Sequence, residues 1–303
     1  MNDLESKIGH TPLKRLEKIE KAFCLKAKLY AKLEHYNAGG SIKDRVAQAI
    51  ITDAEQSGKL KKGGTVIEAT SGNTGIGLAL VCRARGYQCL IVMPDSMSVE
   101  RRKLLCSYGA ELVLTDGKKG MQGAVEKAEE ILRQTENSVI AGQFANPVCA
   151  QVHYQTTGVE IAEQLIEKAD IFTAAVGTGG TLTGVGRYLK EKYGSKVVAI
   201  EPKKSPLLSQ GKAGAHGIQG IGANFIPEIL DRGVYSEVLL VADEEAIAMA
   251  KQIKQTENEF VGISSGANLC GAIELAKRAE NAGKNIITVF PDSGDRYLSV
   301  FEN

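Results

Sequence analysis

From Thr65 to Phe290 the sequence alternates short apolar runs, rich in β-branched residues, with longer stretches of helical periodicity. The spacing predicts strands at Lys28–Glu34, Thr65–Ile67, Cys89–Met93, Glu111–Leu114, Ser138–Ile140, Ile171–Val176, Lys196–Glu201, Glu237–Val241 and Asn285–Phe290. It predicts helices over Ser98–Ser107, Gly120–Gln134, about Thr157–Lys168, Glu244–Gln255 and Gly266–Ala282. Three more helices follow glycine-bearing loops: one ends near Gly58, one begins near Gly75 and one runs to Tyr193. Parallel strands need a crossover between them, and a helix is the usual crossover. The alternation therefore restricts the chain to an α/β protein with mostly parallel sheets flanked by helices. At 303 residues it exceeds one ordinary core, so two domains of about 150 residues are expected.

Two of the strand-to-helix junctions have the chemistry of anion sites. In the first, the strand at Thr65–Ile67 leads into Thr70, Ser71, Gly72, Asn73 and Thr74. Backbone N–H groups and the positive end of the helix dipole would suit a carboxylate or phosphate there. In the second, the strand ending at Val176 runs into Gly177, Thr178, Gly179, Gly180 and Thr181. The glycines let a ligand approach the backbone, and the threonine hydroxyls add donors. Neither junction completes the dinucleotide pattern G-x-G-x-x-G, because Leu182 and Leu80 occupy the last position. The second also lacks the Lys-Ser/Thr ending of a nucleotide P-loop, so it suits a monophosphate.

A third element is Lys43, which follows Gly39-Gly40 at the start of a helical pattern. A cation there opposes the helix dipole. It is either a solvated surface lysine or an amine whose pKa the local potential lowers, freeing it as a nucleophile or base. A phosphate cup, such an amine and a carboxylate-binding turn together suggest pyridoxal 5'-phosphate, which needs a phosphate site, a Schiff-base amine and a ring-nitrogen partner.

Composition excludes other classes. Basic residues number 37 and acidic ones 36, and a net charge of +1 does not make a nucleic-acid surface. No apolar run nears the roughly 18 residues that would span a bilayer, and the opening MNDLESKIGH has no signal-peptide pattern. A cytoplasmic protein without membrane or nucleic-acid partners is expected. The six cysteines form no C-x-x-C pair and are expected to be buried thiols; the four histidines show no ligand spacing and are expected to be structural or solvated. No metal site is expected. The stretch Pro202–Tyr235, rich in glycine and proline, reads as a long loop of the kind that covers a site.

These motifs, in this order, resemble the cysteine synthase (O-acetylserine sulfhydrylase) and cystathionine β-synthase family. Gly9–Leu13, Gly40–Arg45, Thr70–Gly75, Gln143–Pro147, Thr156–Gly158, Gly177–Thr181, Gln219–Gly222 and Gly262–Gly266 carry the resemblance, which covers nearly the whole chain. It implies a tryptophan-synthase-β-like pyridoxal-phosphate fold with two domains. One spans residues 35–146; the other combines 1–34 with 147–303. It implies β-replacement through an α-aminoacrylate, converting O-acetylserine and sulfide to L-cysteine and acetate. The alternatives are a sulfide-producing cysteine lyase or a cystathionine β-synthase, which use the same intermediate. Its partners would be an amino-acid substrate, sulfide or a thiol, and a second copy of the chain in a homodimer.

The resemblance also implies residue roles. Lys43 would hold the cofactor and move the Cα proton, and Asn73 would bond the ring hydroxyl. Thr70, Ser71, Gly72, Thr74 and Gln143 would bind the substrate carboxylate. Gly177, Thr178, Gly179, Gly180 and Thr181 would hold the phosphate, and Ser264 would face the ring nitrogen. Gly222 and Asn224 would lie over the β-carbon. Two positions depart from the family pattern: Ala38 stands where proline is usual, and Asn224 where cysteine synthases have glycine. Asn224 either offers a polar group to the substrate or only tolerates a left-handed backbone.

Overall fold

The computed structural model describes residues 4–302. It contains, among these residues, strands β1 (Leu13–Arg15), β2 (Lys28–Leu33), β3 (Thr65–Ala69), β4 (Gln88–Pro94), β5 (Glu111–Thr115), β6 (Ser138–Ile140), β7 (Ile171–Ala175), β8 (Lys196–Pro202), β9 (Glu237–Val241) and β10 (Asn285–Phe290). The longer helices are α1 (Lys43–Gln56), α2 (Asn73–Arg85), α3 (Val99–Ser107), α4 (Gly120–Gln134), α5 (Gly158–Gln164), α6 (Gly180–Tyr193), α7 (Asp243–Glu257) and α8 (Ile263–Ala276). The chain divides into two compact units.

The first unit takes the residues up to Ile8 and Asn37–Cys149. Its sheet has the order β5-β4-β3-β6, parallel throughout. In β3 every residue from Thr65 to Glu68 is buried, the continuous pattern of a parallel strand covered on both faces. Ile67 and Val92 pack with Ala124 and Ala128 of α4. Residues 4–8 were expected in the other domain. They group here because Glu5 pairs with Arg85 of α2 at 2.7 Å.

The second unit takes Gly9–Tyr36 and the residues from Ala150 onward. Its six-stranded sheet has the order β1-β2-β10-β7-β8-β9, with only β1 antiparallel. Its core joins Leu29, Ile200, Leu269 and Phe290. The helix expected over Thr157–Lys168 begins already at Val148, passes through a π-turn at His153–Thr157 and ends at Gln164. The one expected over Gly266–Ala282 runs instead from Ile263 to Ala276, its start set by the isolated bridge Val261–Ser293 just before it. Cys82, Cys89 and Cys149 are buried as expected, but Cys24 and Cys106 are exposed and Cys270 is half-buried. Pattern reading treats cysteine as a small hydrophobe; Cys24 sits in a turn with φ +52°, Cys106 is exposed on α3, and Cys270 is half-buried against the core of the second unit.

The least expected core feature is Lys32 of β2, fully buried. Its ammonium lies 2.8 Å from Glu160 of α5 and donates to the Thr11 carbonyl at 2.5 Å. Removing one partner of a buried pair strands the other charge. Glu160→Ala should therefore cost about 3–5 kcal/mol in denaturant unfolding, whereas the double change Lys32→Met/Glu160→Leu should be near neutral.

Candidate active site

In the first unit the loop between β3 and α2 is short because the helix starts at Asn73, earlier than the apolar pattern suggests. Gly72 is the N-cap and supplies no side-chain cap, so the first N–H groups of α2 face the loop. The Thr70 hydroxyl accepts the Gly72 N–H at 3.2 Å, and Arg101 of α3 approaches the Ser71 carbonyl at 3.4 Å. One residue into the helix, the Thr74 hydroxyl donates to Gln143 Oε1 at 2.5 Å. The structure thus brings Thr70, Ser71, Gly72, Asn73, Thr74 and Gln143 to one end of one sheet.

Lys43 is the first residue of α1, its N–H held by Ser41 Oγ at 3.2 Å. The preceding turn is closed by the Gly40 N–H to the Asn37 carbonyl at 2.8 Å, with Ala38 in place of proline. Lys43 is half-buried, and burial lowers its pKa from the ordinary lysine value. Cys149 and Glu68 pull the other way. Burial, not the helix-end potential invoked from sequence, is therefore the main cause.

Glu68, which the sequence reading passed over, sits in the buried part of β3. Burial pushes its carboxyl up to about 7, although the Gly142 N–H (2.8 Å) and the Gln143 N–H (3.4 Å) hold the ionised form. A charged residue inside a strand with buried neighbours on both sides was the available signal.

In the second unit β7 ends at Ala175 and α6 begins at Gly180, with Gly177, Thr178 and Gly179 between. Gly179 takes φ +87° as the helix N-cap, and a Cβ on Gly177 would strike the Gly220 carbonyl, so both positions need glycine. The Gly222 N–H donates to the Val176 carbonyl at 2.9 Å, which lays the loop after β8 beside this cup. His153 and His216 were read as structural or solvated, and they serve these loops. His153 Nε2 lies 3.4 Å from the Thr181 hydroxyl and His216 Nε2 lies 2.9 Å from the Gly222 carbonyl.

Asn224 has φ +62°, and its amide oxygen accepts from Ser205 Oγ at 3.0 Å. The left-handed backbone accounts for asparagine here, and the amide oxygen is engaged within its own loop. Ser264 is buried in the first turn of α8. Asn268, one turn on, accepts the Ala175 N–H and donates to the Val289 carbonyl, both at 2.7 Å, fastening α8 to the end of β7. The neighbouring Ser265 hydroxyl is buried with no hydrogen-bond partner among the described residues.

An amine lowered by burial, a glycine-built helix N-terminus and a buried serine at a helix start fit the amine, phosphate and ring-nitrogen demands of pyridoxal phosphate. A model of pyridoxal-phosphate dependent enzymes matches residues 4–292. The chain belongs to that family. It is similar to a cysteine synthase of Staphylococcus aureus, 48% identical over 294 residues, covering 96% of this chain and 94% of that protein. Among solved structures it matches an O-ureido-L-serine synthase at 40% identity and TM-score 0.94, covering 99% of this chain and 94% of that one. A hydrogen sulfide-producing enzyme from Fusobacterium nucleatum matches at 40% identity and TM-score 0.91, covering 98% and 99%. This is a pyridoxal-phosphate-dependent enzyme. Among the described residues no cluster of side chains could hold a metal, and no helix is long and apolar enough to cross a membrane.

Glu68 makes stability depend on pH. Its folded-state pKa of about 7 lies above the ordinary 4.5. The stability it contributes is full below about 4.5 and is lost as pH rises through about 7. The shift corresponds to about 3 kcal/mol. Glu68→Gln removes this dependence, so its stability relative to the parent should rise by up to that amount between pH 4.5 and 8 in urea unfolding. A constant difference across that range would show that Glu68 titrates normally.

Proposed function

We propose that this enzyme is a cysteine synthase, replacing the acetoxy group of O-acetyl-L-serine with sulfide to give L-cysteine and acetate. The full-length match to the S. aureus cysteine synthase carries this reading. Pyridoxal phosphate supplies the electron sink that makes Cα acidic and lets the β-substituent leave. The protein's own groups do the rest. Thr70, Ser71, Gly72, Thr74 and Gln143 bind the substrate carboxylate against the N-terminus of α2 and fix the amino acid's orientation. Lys43 Nζ carries the cofactor and moves the Cα proton, a task suited to an amine whose pKa burial has lowered.

Gly177–Thr181 would hold the phosphate with backbone donors of α6, and Asn73 would bond the ring hydroxyl. Ser264 would face the ring nitrogen with a neutral hydroxyl, which offers less charge stabilisation than a carboxylate would. Gly222 and Asn224 line the approach to Cβ. The enzyme works as a cytoplasmic homodimer, in keeping with the family resemblance and with exposed free thiols at Cys24 and Cys106, which suit a reducing compartment.

A second reading, sulfide release from L-cysteine, is favoured by the similarity to the hydrogen sulfide-producing enzyme of F. nucleatum. Measuring acetate release from O-acetylserine plus sulfide against sulfide release from cysteine separates the two. The faster reaction identifies the activity. Lys43→Ala should fold as the parent does yet lose about 10²–10⁴ in turnover, the usual worth of a positioned base. Turnover at the parent rate would remove Lys43 from the chemistry.

A further inference from the structure

Glu68 places a carboxyl in the strand between β4 and β6, where burial disfavours its charge. Its hydrogen bonds run to the segment after β6. Oε2 accepts the Gly142 N–H at 2.8 Å, Oε1 accepts the Gln143 N–H at 3.4 Å, and the Gln143 side chain bonds the same carboxyl. Gly142 has φ +65°, and at this turn two successive N–H groups address one carboxyl. Gln143 in turn receives the Thr74 hydroxyl, so β3, the loop after β6 and the first turn of α2 are joined through a single glutamine.

An ionised carboxylate can accept both N–H groups on separate oxygens. A protonated one turns one oxygen into a hydroxyl donor and loses that second grip. The other titratable groups facing Glu68 are Lys43 from α1, Cys89 from β4 and Cys149. A hydrogen bond with Cys82, then burial, raises the Cys89 thiol, and burial raises Cys149 to about 11, so neither changes charge near neutrality.

We propose that Glu68 is a positioning residue for the amino-acid substrate: in its ionised form it holds the 142–143 turn and sets the orientation in which Gln143 meets the substrate carboxylate. This rests on the proposed role of Gln143. The predicted consequence is amino-acid affinity that weakens as pH falls through about 7, for a reason independent of the cofactor amine.

The test measures binding of L-alanine, which has no β-leaving group, to the holoenzyme by calorimetry at pH 6 and pH 8. The parent, Glu68→Gln, Gln143→Ala and the double variant are compared. Taking the ratio of parent to variant cancels ionisation of the ligand's own amine. Glu68→Gln should bind about tenfold more weakly than the parent at pH 8 and nearly equally at pH 6. In the Gln143→Ala background it should add less than about twofold, because the group it positions is gone. A parent-like affinity at pH 8, or an equal loss in both backgrounds, overturns the proposal. If Gln143→Ala binds L-alanine as the parent does, the site assignment falls and this inference with it. If Gln143→Ala is weak and Glu68→Gln normal, only the inference falls. A second measurement needs no variant: hydrogen-exchange protection of the Gly142 and Gln143 amides in the parent should be greater at pH 8 than at pH 6. Equal protection also overturns it.

Discussion

A parallel sheet sends the C-terminal ends of its strands to one edge, and the helices that follow begin there with unmatched N–H groups. In each unit this geometry leaves backbone N–H groups at a helix start beside a loop, the arrangement an anion site needs. In the first, β3 delivers Thr70–Gly72 to the start of α2; in the second, β7 delivers Gly177–Gly179 to the start of α6. The loops differ in how they are lined. Hydroxyls and an amide surround the first, whereas glycines that allow backbone-to-backbone approach build the second. Those differences fit the proposed carboxylate in one case and the proposed phosphate in the other.

Around these edges the protein keeps ionisable groups where burial opposes their charge. Lys43 is lowered by burial and Glu68 is raised by it, which brings both toward neutrality. Lys32, also buried, is treated differently: Glu160 and the Thr11 carbonyl satisfy its charge directly. The contrast separates a structural ion pair from groups held at a cost. Groups of the latter kind concentrate where chemistry needs a proton to move or a charge to change.

In the second unit, side chains outside the proposed ligand-binding set hold the loops of the candidate site. Asn268 fastens the helix bearing Ser264 to the end of β7, and His153 and His216 brace Thr181 and Gly222. None belongs to a recognisable motif. Each satisfies polar groups that a loop at a sheet edge would otherwise leave bare.

The sequence by itself determined the α/β class, most of the strands and the loops that follow β3 and β7. Those features depend on local periodicity and on glycine and hydroxyl residues at fixed spacing, which are written in consecutive residues. Helix ends were less legible: α2 starts at Asn73 because a glycine N-cap turns the chain there, and α8 starts at Ile263 beside a bridge to Ser293, a distant residue. The expectation that all six cysteines are buried failed for three of them, and residues 4–8 group away from where they were expected, since each depends on neighbours far along the chain. Only the tertiary structure decided that Glu68 and Gln143, 75 residues apart, share hydrogen bonds, and that burial rather than a helix end lowers Lys43. Desolvation is a property of everything packed around a group, and no local pattern records it.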